Sequence, residues 1–89
     1  MGQVAETIRI KLQQAFSPDR LEVTDQSHKH AGHAGATEAG ESHFDVVITA
    51  AAFRGRSRVM RQRDIYSVLK DELAGPVHAL SVKADAPGD

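Results

Sequence analysis

The sequence contains no cysteine. Disulfides, thiolate-held zinc and CxxC redox chemistry are therefore excluded, stability has to come from packing, and the absence suits a reducing compartment. Tryptophan is also missing, and the aromatic complement is three Phe and one Tyr, few for a surface that stacks bases. No stretch approaches the ~20 apolar residues of a membrane span. The opening "MGQVAETI" has no apolar leader segment and carries Glu6 where the myristoylation pattern has Ser or Thr. A soluble, cytoplasmic protein without a membrane partner is expected. Neither sign of charge dominates: 11 Lys and Arg face 12 Asp and Glu, for a net charge of −1. A wholly basic surface is thereby excluded, although a basic patch is not. No internal repeat is present.

What remains is an ordinary globular composition, 40% hydrophobic and 26% charged over 89 residues. A chain of this size buries roughly 60–65% of its unfolded surface, so one compact, two-layered domain over 1–89 is expected. Val4, Ile8, Leu12, Ala15 and Phe16 recur at helical spacing, and Ser17-Pro18 ends that helix. "LEVTD" alternates apolar and polar residues as a half-buried strand does. Residues 25–43 hold three closely spaced histidines and the glycines Gly32, Gly35 and Gly40, and are expected to form a flexible loop. "HFDVVITAAAF" reads as the longest strand, with Phe44, Val46 and Ile48 on one face. Past a turn at Gly55, a helix carries Ile65, Val68, Leu69 and Leu73, and Gly75-Pro76 stops it. "VHALSVKA" reads as the last strand, and 85–89 as a disordered tail. The expected fold is α+β in the order αββαβ: a three-stranded sheet, both helices on one face, and a crossover long enough for one parallel pair.

Three constellations bear on function. His28, His30 and His33 could chelate a transition metal, but a structural zinc site needs four ligands in a defined fold, and a solvated loop explains the same spacing as well. His78 shares its side with Leu80 and Val82 by the period-two rule and starts a strand. It reads either as a half-buried histidine bonded to backbone or as a ligand that approaches a loop histidine at one end of the sheet. His43 also heads a strand, where hairpin surface residues are common. Two ligands from one chain would leave a metal or cluster half coordinated, to be completed by another molecule. Arg54, Arg56, Arg58, Arg61 and Arg63 fall within ten residues at a turn entering a helix, suited to phosphates or to an acidic partner. A GXXG nucleotide clamp is absent, since "FRGR" offers only Gly55. Catalytic signals are thin: Asp25, Ser27 and His28 adjoin in sequence, but a triad is a matter of geometry, and an enzyme is not expected.

The order of motifs is more specific than any of them. "LEVTDQSHKH", then "ESHFDVVITAAAFRGRSRVMRQRDIYSVLKDEL", then "GPVHALSVKADAP" resembles the BolA family from about Val4 to Pro87. The resemblance implies an αββαβ fold similar to type II KH domains, with "SRVMRQR" often a separate short helix, giving αββααβ around a mixed sheet. It also implies an adaptor that pairs with monothiol glutaredoxins of the CGFS type and shares a bridging [2Fe–2S] cluster in iron–sulfur trafficking and iron regulation. The family's C-terminal histidine falls on His78. The loop ligand falls on His30, with His33 and His28 as alternates, and the glutaredoxin cysteine and a glutathione thiol complete the set. The isolated protein is expected to be a monomer without cofactor. Histidine ligation raises a cluster's potential relative to thiolates, and it requires neutral imidazole, so binding is expected to weaken near about pH 6. The family's other attributed role is transcriptional regulation through DNA, with the arginines at 54–63 as the contact. One departure matters: many members have Arg-His-Arg where this chain has Arg61-Gln62-Arg63.

Overall fold

The computed structural model describes residues 3–26 and 43–88. Helix α1 (Gln3–Phe16) buries Ala5, Ile8 and Leu12, one apolar stripe at the expected spacing. Ala5 belongs to this stripe although the sequence reading omitted it. Ala15, expected inside, is exposed in the last turn, whereas Phe16 folds inward, its ring 4.8 Å from that of Phe53. Glu6 and Arg9 pair one turn apart. Arg9 holds the Glu6 carboxyl below its ordinary range by hydrogen bonding to it. Ser17 terminates the helix with a positive φ of 45°, its N–H still donating to the Gln13 carbonyl.

Strand β1 (Arg20–Asp25) pairs antiparallel with β2 (His43–Thr49), and β2 pairs parallel with β3 (Ala79–Asp85), so β2 is central. The register aligns Leu21, Ile48 and Ala84 in one row and Val23, Val46 and Val82 in the next. These rows, with Phe44 and Leu80, form the face that packs on Ile8, Leu12, Ile65 and Leu69. The expected mixed sheet with one parallel pair is what the chain builds. Arg20, Glu22, Asp45, Val47, Ser81 and Lys83 fall on the opposite face by alternation, on which no described helix packs.

Several boundaries differ from the sequence reading. First, β2 stops at Thr49 instead of running to Phe53: Ala51–Phe53 is a 3-10 turn that inserts Phe53 fully into the core. Three successive alanines favour a strand poorly, and burying Phe53 is worth about 2 kcal/mol or more. Second, "SRVMRQR" is no separate helix. It opens α2 (Arg58–Val68), where the Ser57 hydroxyl caps the Met60 N–H at 3.2 Å. The break falls at Leu69, whose φ of −100° and ψ of 18° separate α2 from α3 (Lys70–Ala74). Leu69 is itself buried, and Leu73 still donates to its carbonyl at 2.9 Å, so the axis is distorted by one residue only. Third, β3 extends one residue into the segment read as the tail, 85–89. Asp85 closes β3, Ala86 is buried, and the Pro87 carbonyl accepts from Arg54 Nη2 at 2.8 Å. Likewise the expected loop at 25–43 has Asp25 in β1 and His43 in β2; residues 27–42 lie outside those described. No helix among the described residues is long and apolar enough to cross a membrane.

Candidate functional site

Parallel pairing brings three segments to one end of the sheet. β1 ends there at Asp25, β2 begins there at His43, and β3 begins there at Ala79, in register with His43. The Gln26 N–H donates to the His43 carbonyl at 2.7 Å, and Gln26 Nε2 donates to Asp45 Oδ2 at 2.8 Å. Adjacent strands lie ~4.8 Å apart, so Gln26, His43 and Ala79 span roughly 10 Å across the sheet. The chain therefore leaves the described structure at Gln26 and re-enters at His43 beside the start of β3. His28, His30 and His33 belong to the intervening residues, outside those described. His43 is half-buried at the head of β2.

His78 is the residue before β3, and it is exposed. The half-buried, backbone-bonded alternative is thus not how it is placed, because the strand begins one residue later than the period-two reading supposed. Its neighbours are fixed from both sides. Val77 is buried to 3% exposure and its N–H donates to the Glu72 carbonyl at 2.9 Å, within the turn that Gly75-Pro76 makes after α3. Leu80 pairs with Phe44, and its carbonyl accepts from the Tyr66 hydroxyl at 3.1 Å. An imidazole in water on a held backbone is a good donor to an external metal: ligation requires little reordering of the chain. Among the described residues no group of three or more His, Asp or Glu could hold a metal ion. Lys11 from α1 bonds both oxygens of Glu72, at 3.0 and 2.8 Å, and that bonding raises the Lys11 pKa.

The five arginines separate into different jobs. Arg61 is only 8% exposed; its Nε donates to the Arg56 carbonyl at 2.9 Å and its Nη1 to the Ala84 carbonyl at 3.1 Å. Arg61 therefore fastens α2 to the outer edge of β3, unlike the exposed arginines with which the sequence groups it. Arg56 is held by both oxygens of Asp64, with Nη2 2.9 Å from Oδ1. Arg54 holds Pro87 but stays exposed, and Arg58 and Arg63 are exposed on α2. A cleft of about 190 Å³ between α2 and β3 is lined by Arg58, Gln62, Val82, Lys83 and Ala84. Exposed Val59 and Met60 adjoin Arg58 in the first turn of α2. Sequence reasoning missed Arg61 as a core residue and Tyr66 as a strand anchor. The signal for Arg61 was its spacing, since 61, 65 and 69 stand four apart on one helix face.

The BolA-like protein family matches residues 12–89. An uncharacterised Sinorhizobium protein is 51% identical over 97% of this chain and 94% of its own length. The Escherichia coli DNA-binding transcriptional regulator BolA is 44% identical over 89% of this chain and 71% of its own length. In the solved structure of the BolA domain of SufE1 from Arabidopsis thaliana, the TM-score is 0.86 at 45% identity, with 98% of this chain and 95% of that one covered. Other relatives are longer: the chain spans 60% of mouse BolA-like protein 1 and 25% of the SufE-like protein 1 of Arabidopsis thaliana.

Proposed function

The chain belongs to the BolA-like protein family, and from that premise we propose that it is an adaptor for a monothiol glutaredoxin of the CGFS type. The pair shares a bridging [2Fe–2S] cluster, and the adaptor serves iron–sulfur trafficking or iron regulation. The observation that carries this reading is the exposed His78 on a fixed backbone, at the sheet end where the histidine-bearing segment leaves and returns. The donor chemistry fits: imidazole nitrogen is a borderline ligand for iron. His78 is one ligand and His30 the second, with His33 and His28 as alternates. The glutaredoxin cysteine and a glutathione thiol fill the remaining positions. When bound, the cluster supplies a transferable, redox-active iron–sulfur unit whose potential histidine ligation raises. The chain's own part is to present neutral imidazoles and a docking surface.

The test is anaerobic reconstitution with a monothiol glutaredoxin, glutathione, iron and sulfide, followed by visible circular dichroism. Wild type converts the glutaredoxin spectrum into a distinct one, His78→Ala abolishes the change, and His30→Ala identifies the loop ligand. An unchanged spectrum on adding wild type refutes the reading.

A second reading is DNA binding through Arg54, Arg58 and Arg63. It is favoured by the exposure of these three side chains, Arg54 in the turn before α2 and Arg58 and Arg63 on the helix, and by the relative described as a DNA-binding transcriptional regulator. It survives loss of His78, which the adaptor reading does not.

A further inference from the structure

We propose that Tyr66 is a positioning residue for His78, with Gln62 orienting its phenol; the proposal rests on His78 being a cluster ligand. Among the described residues β3 is an edge strand, with β2 as its ladder partner. In a parallel ladder alternate residues direct both backbone groups toward the partner strand, so the others face outward without a ladder bond. The outward groups of β3 include the carbonyls of Leu80 and Ala84, and α2 takes both: Tyr66 donates to Leu80 and Arg61 to Ala84. The Ala84 bond secures the far end of the strand. The Leu80 bond lies two residues from His78 and secures the end that carries the ligand.

The Leu80 carbonyl can only accept, so the Tyr66 hydroxyl is the donor of the link, and Gln62 complements that polarity. Gln62 Nε2 donates to the Tyr66 hydroxyl at 3.0 Å, so that oxygen acts as acceptor toward Gln62 and turns its own hydrogen to Leu80. The Tyr66 ring is partly buried against the core, which fixes where the hydroxyl can reach. On the N-terminal side, Val77 is buried and bonded to Glu72. His78 is thus an exposed residue, with Ala79, in a segment clamped at 77 and at 80. Without the Tyr66 hydroxyl the second clamp opens, and the imidazole samples a wider range of positions before it meets iron.

Tyr66→Phe retains the ring and removes only the hydroxyl. In the cluster-free protein, amide hydrogen exchange at 79–81 should rise about fivefold, the loss of one hydrogen bond, with the amides of β2 changing less. In the mixed complex with a monothiol glutaredoxin, cluster retention against a chelator should fall about tenfold, as for other groups that orient a ligand. Affinity for the cluster-free glutaredoxin should hold. Gln62→Ala should shift both readouts in the same direction by less. The proposal is overturned if Tyr66→Phe leaves exchange at 79–81 at the wild-type rate. It is equally overturned if exchange rises alike across β2 and β3, which marks a general loss of stability. If wild type forms no mixed cluster, the adaptor reading fails, and the exchange data still decide whether Tyr66 holds the backbone at His78.

Discussion

Replacing Arg61 by methionine separates a structural arginine from its exposed neighbours. Methionine keeps the aliphatic stem that packs at this buried position and removes the guanidinium. Charge-assisted hydrogen bonds disappear, among them those to the Arg56 and Ala84 carbonyls. Bonds of this kind contribute about 1.5–3 kcal/mol each, offset in part because a buried charge no longer has to be desolvated. Water can replace the bond at the strand edge more easily than at the half-buried Arg56, so a net loss of about 3 kcal/mol is expected. That is a large share of the 5–15 kcal/mol typical of a domain. In urea unfolding, with m about 1 kcal/mol/M for so small a chain, the midpoint should drop by roughly 3 M at unchanged m. Arg58→Met, at an exposed position, is the control and should remain within about 0.5 kcal/mol of wild type. If Arg61→Met unfolds with Arg58→Met and wild type, Arg61 does not fasten α2 to β3, and its assignment to a solvated contact face is restored.

Other outcomes follow from the same structure. Gly55 has φ of +80° and a Cβ built there meets nothing within 4 Å, so Gly55→Ala should cost about 1–2 kcal/mol through backbone strain alone, readable as a lower thermal midpoint. The Lys11 pKa is raised by its hydrogen bonds to Glu72. Its contribution is therefore present in full below the unfolded value of about 10.4 and is lost as pH rises through the folded one. Glu72→Gln should unfold more readily than wild type in urea at pH 8, and the gap should close as pH rises through the raised folded value; a constant gap would show that charge is not involved. If DNA binds at α2, Arg58→Gln and Arg63→Gln should each reduce the slope of log K against log salt by about 1 without changing sequence preference. An unchanged slope in both variants would remove these side chains from any phosphate contact.

The elements that were legible in the sequence are those whose pattern has one dominant cause. Leu21 and Val23 alternate because one face of β1 is wet, and the Phe44, Val46 and Ile48 row follows from the same period. Gly75-Pro76 stopped α3 where expected, with the Glu72 carbonyl collecting the N–H groups of Gly75 and Val77. The misreadings occur where two causes compete. The alanines after Thr49 continue an apolar run, yet the need to bury Phe53 turns them into a 3-10 turn. Arg61 was grouped by charge with its neighbours, although extending the Ile65 and Leu69 spacing back one turn lands on it. The exposure of His78 was hidden by a single-residue difference in where β3 begins. Tyr66 could not be seen at all, because its partner lies fourteen residues away across the crossover.

The placement of these residues decides which variants can discriminate the two readings of function. α2 presents Arg58 and Arg63 outward while its Arg61 and Tyr66 grip the edge of the strand that follows His78. The basic face and the histidine end are thus built on one framework, and a variant that loosens that framework impairs both. Loss of DNA binding in Arg61→Met, or of cluster binding in Tyr66→Phe, would therefore not by itself identify a contact. His78, Arg58 and Arg63 are different: each is exposed, and the paired carbonyls do not depend on them. Surface substitutions of this kind usually change stability by no more than about 0.5 kcal/mol, so their effects on binding can be read directly. If His78→Ala loses the shared cluster while keeping DNA affinity, and Arg58→Gln with Arg63→Gln does the reverse, both activities reside on this chain at separate places. If the arginine pair also weakens the glutaredoxin complex, the start of α2 is part of the partner's docking surface, and the DNA reading loses its separate support.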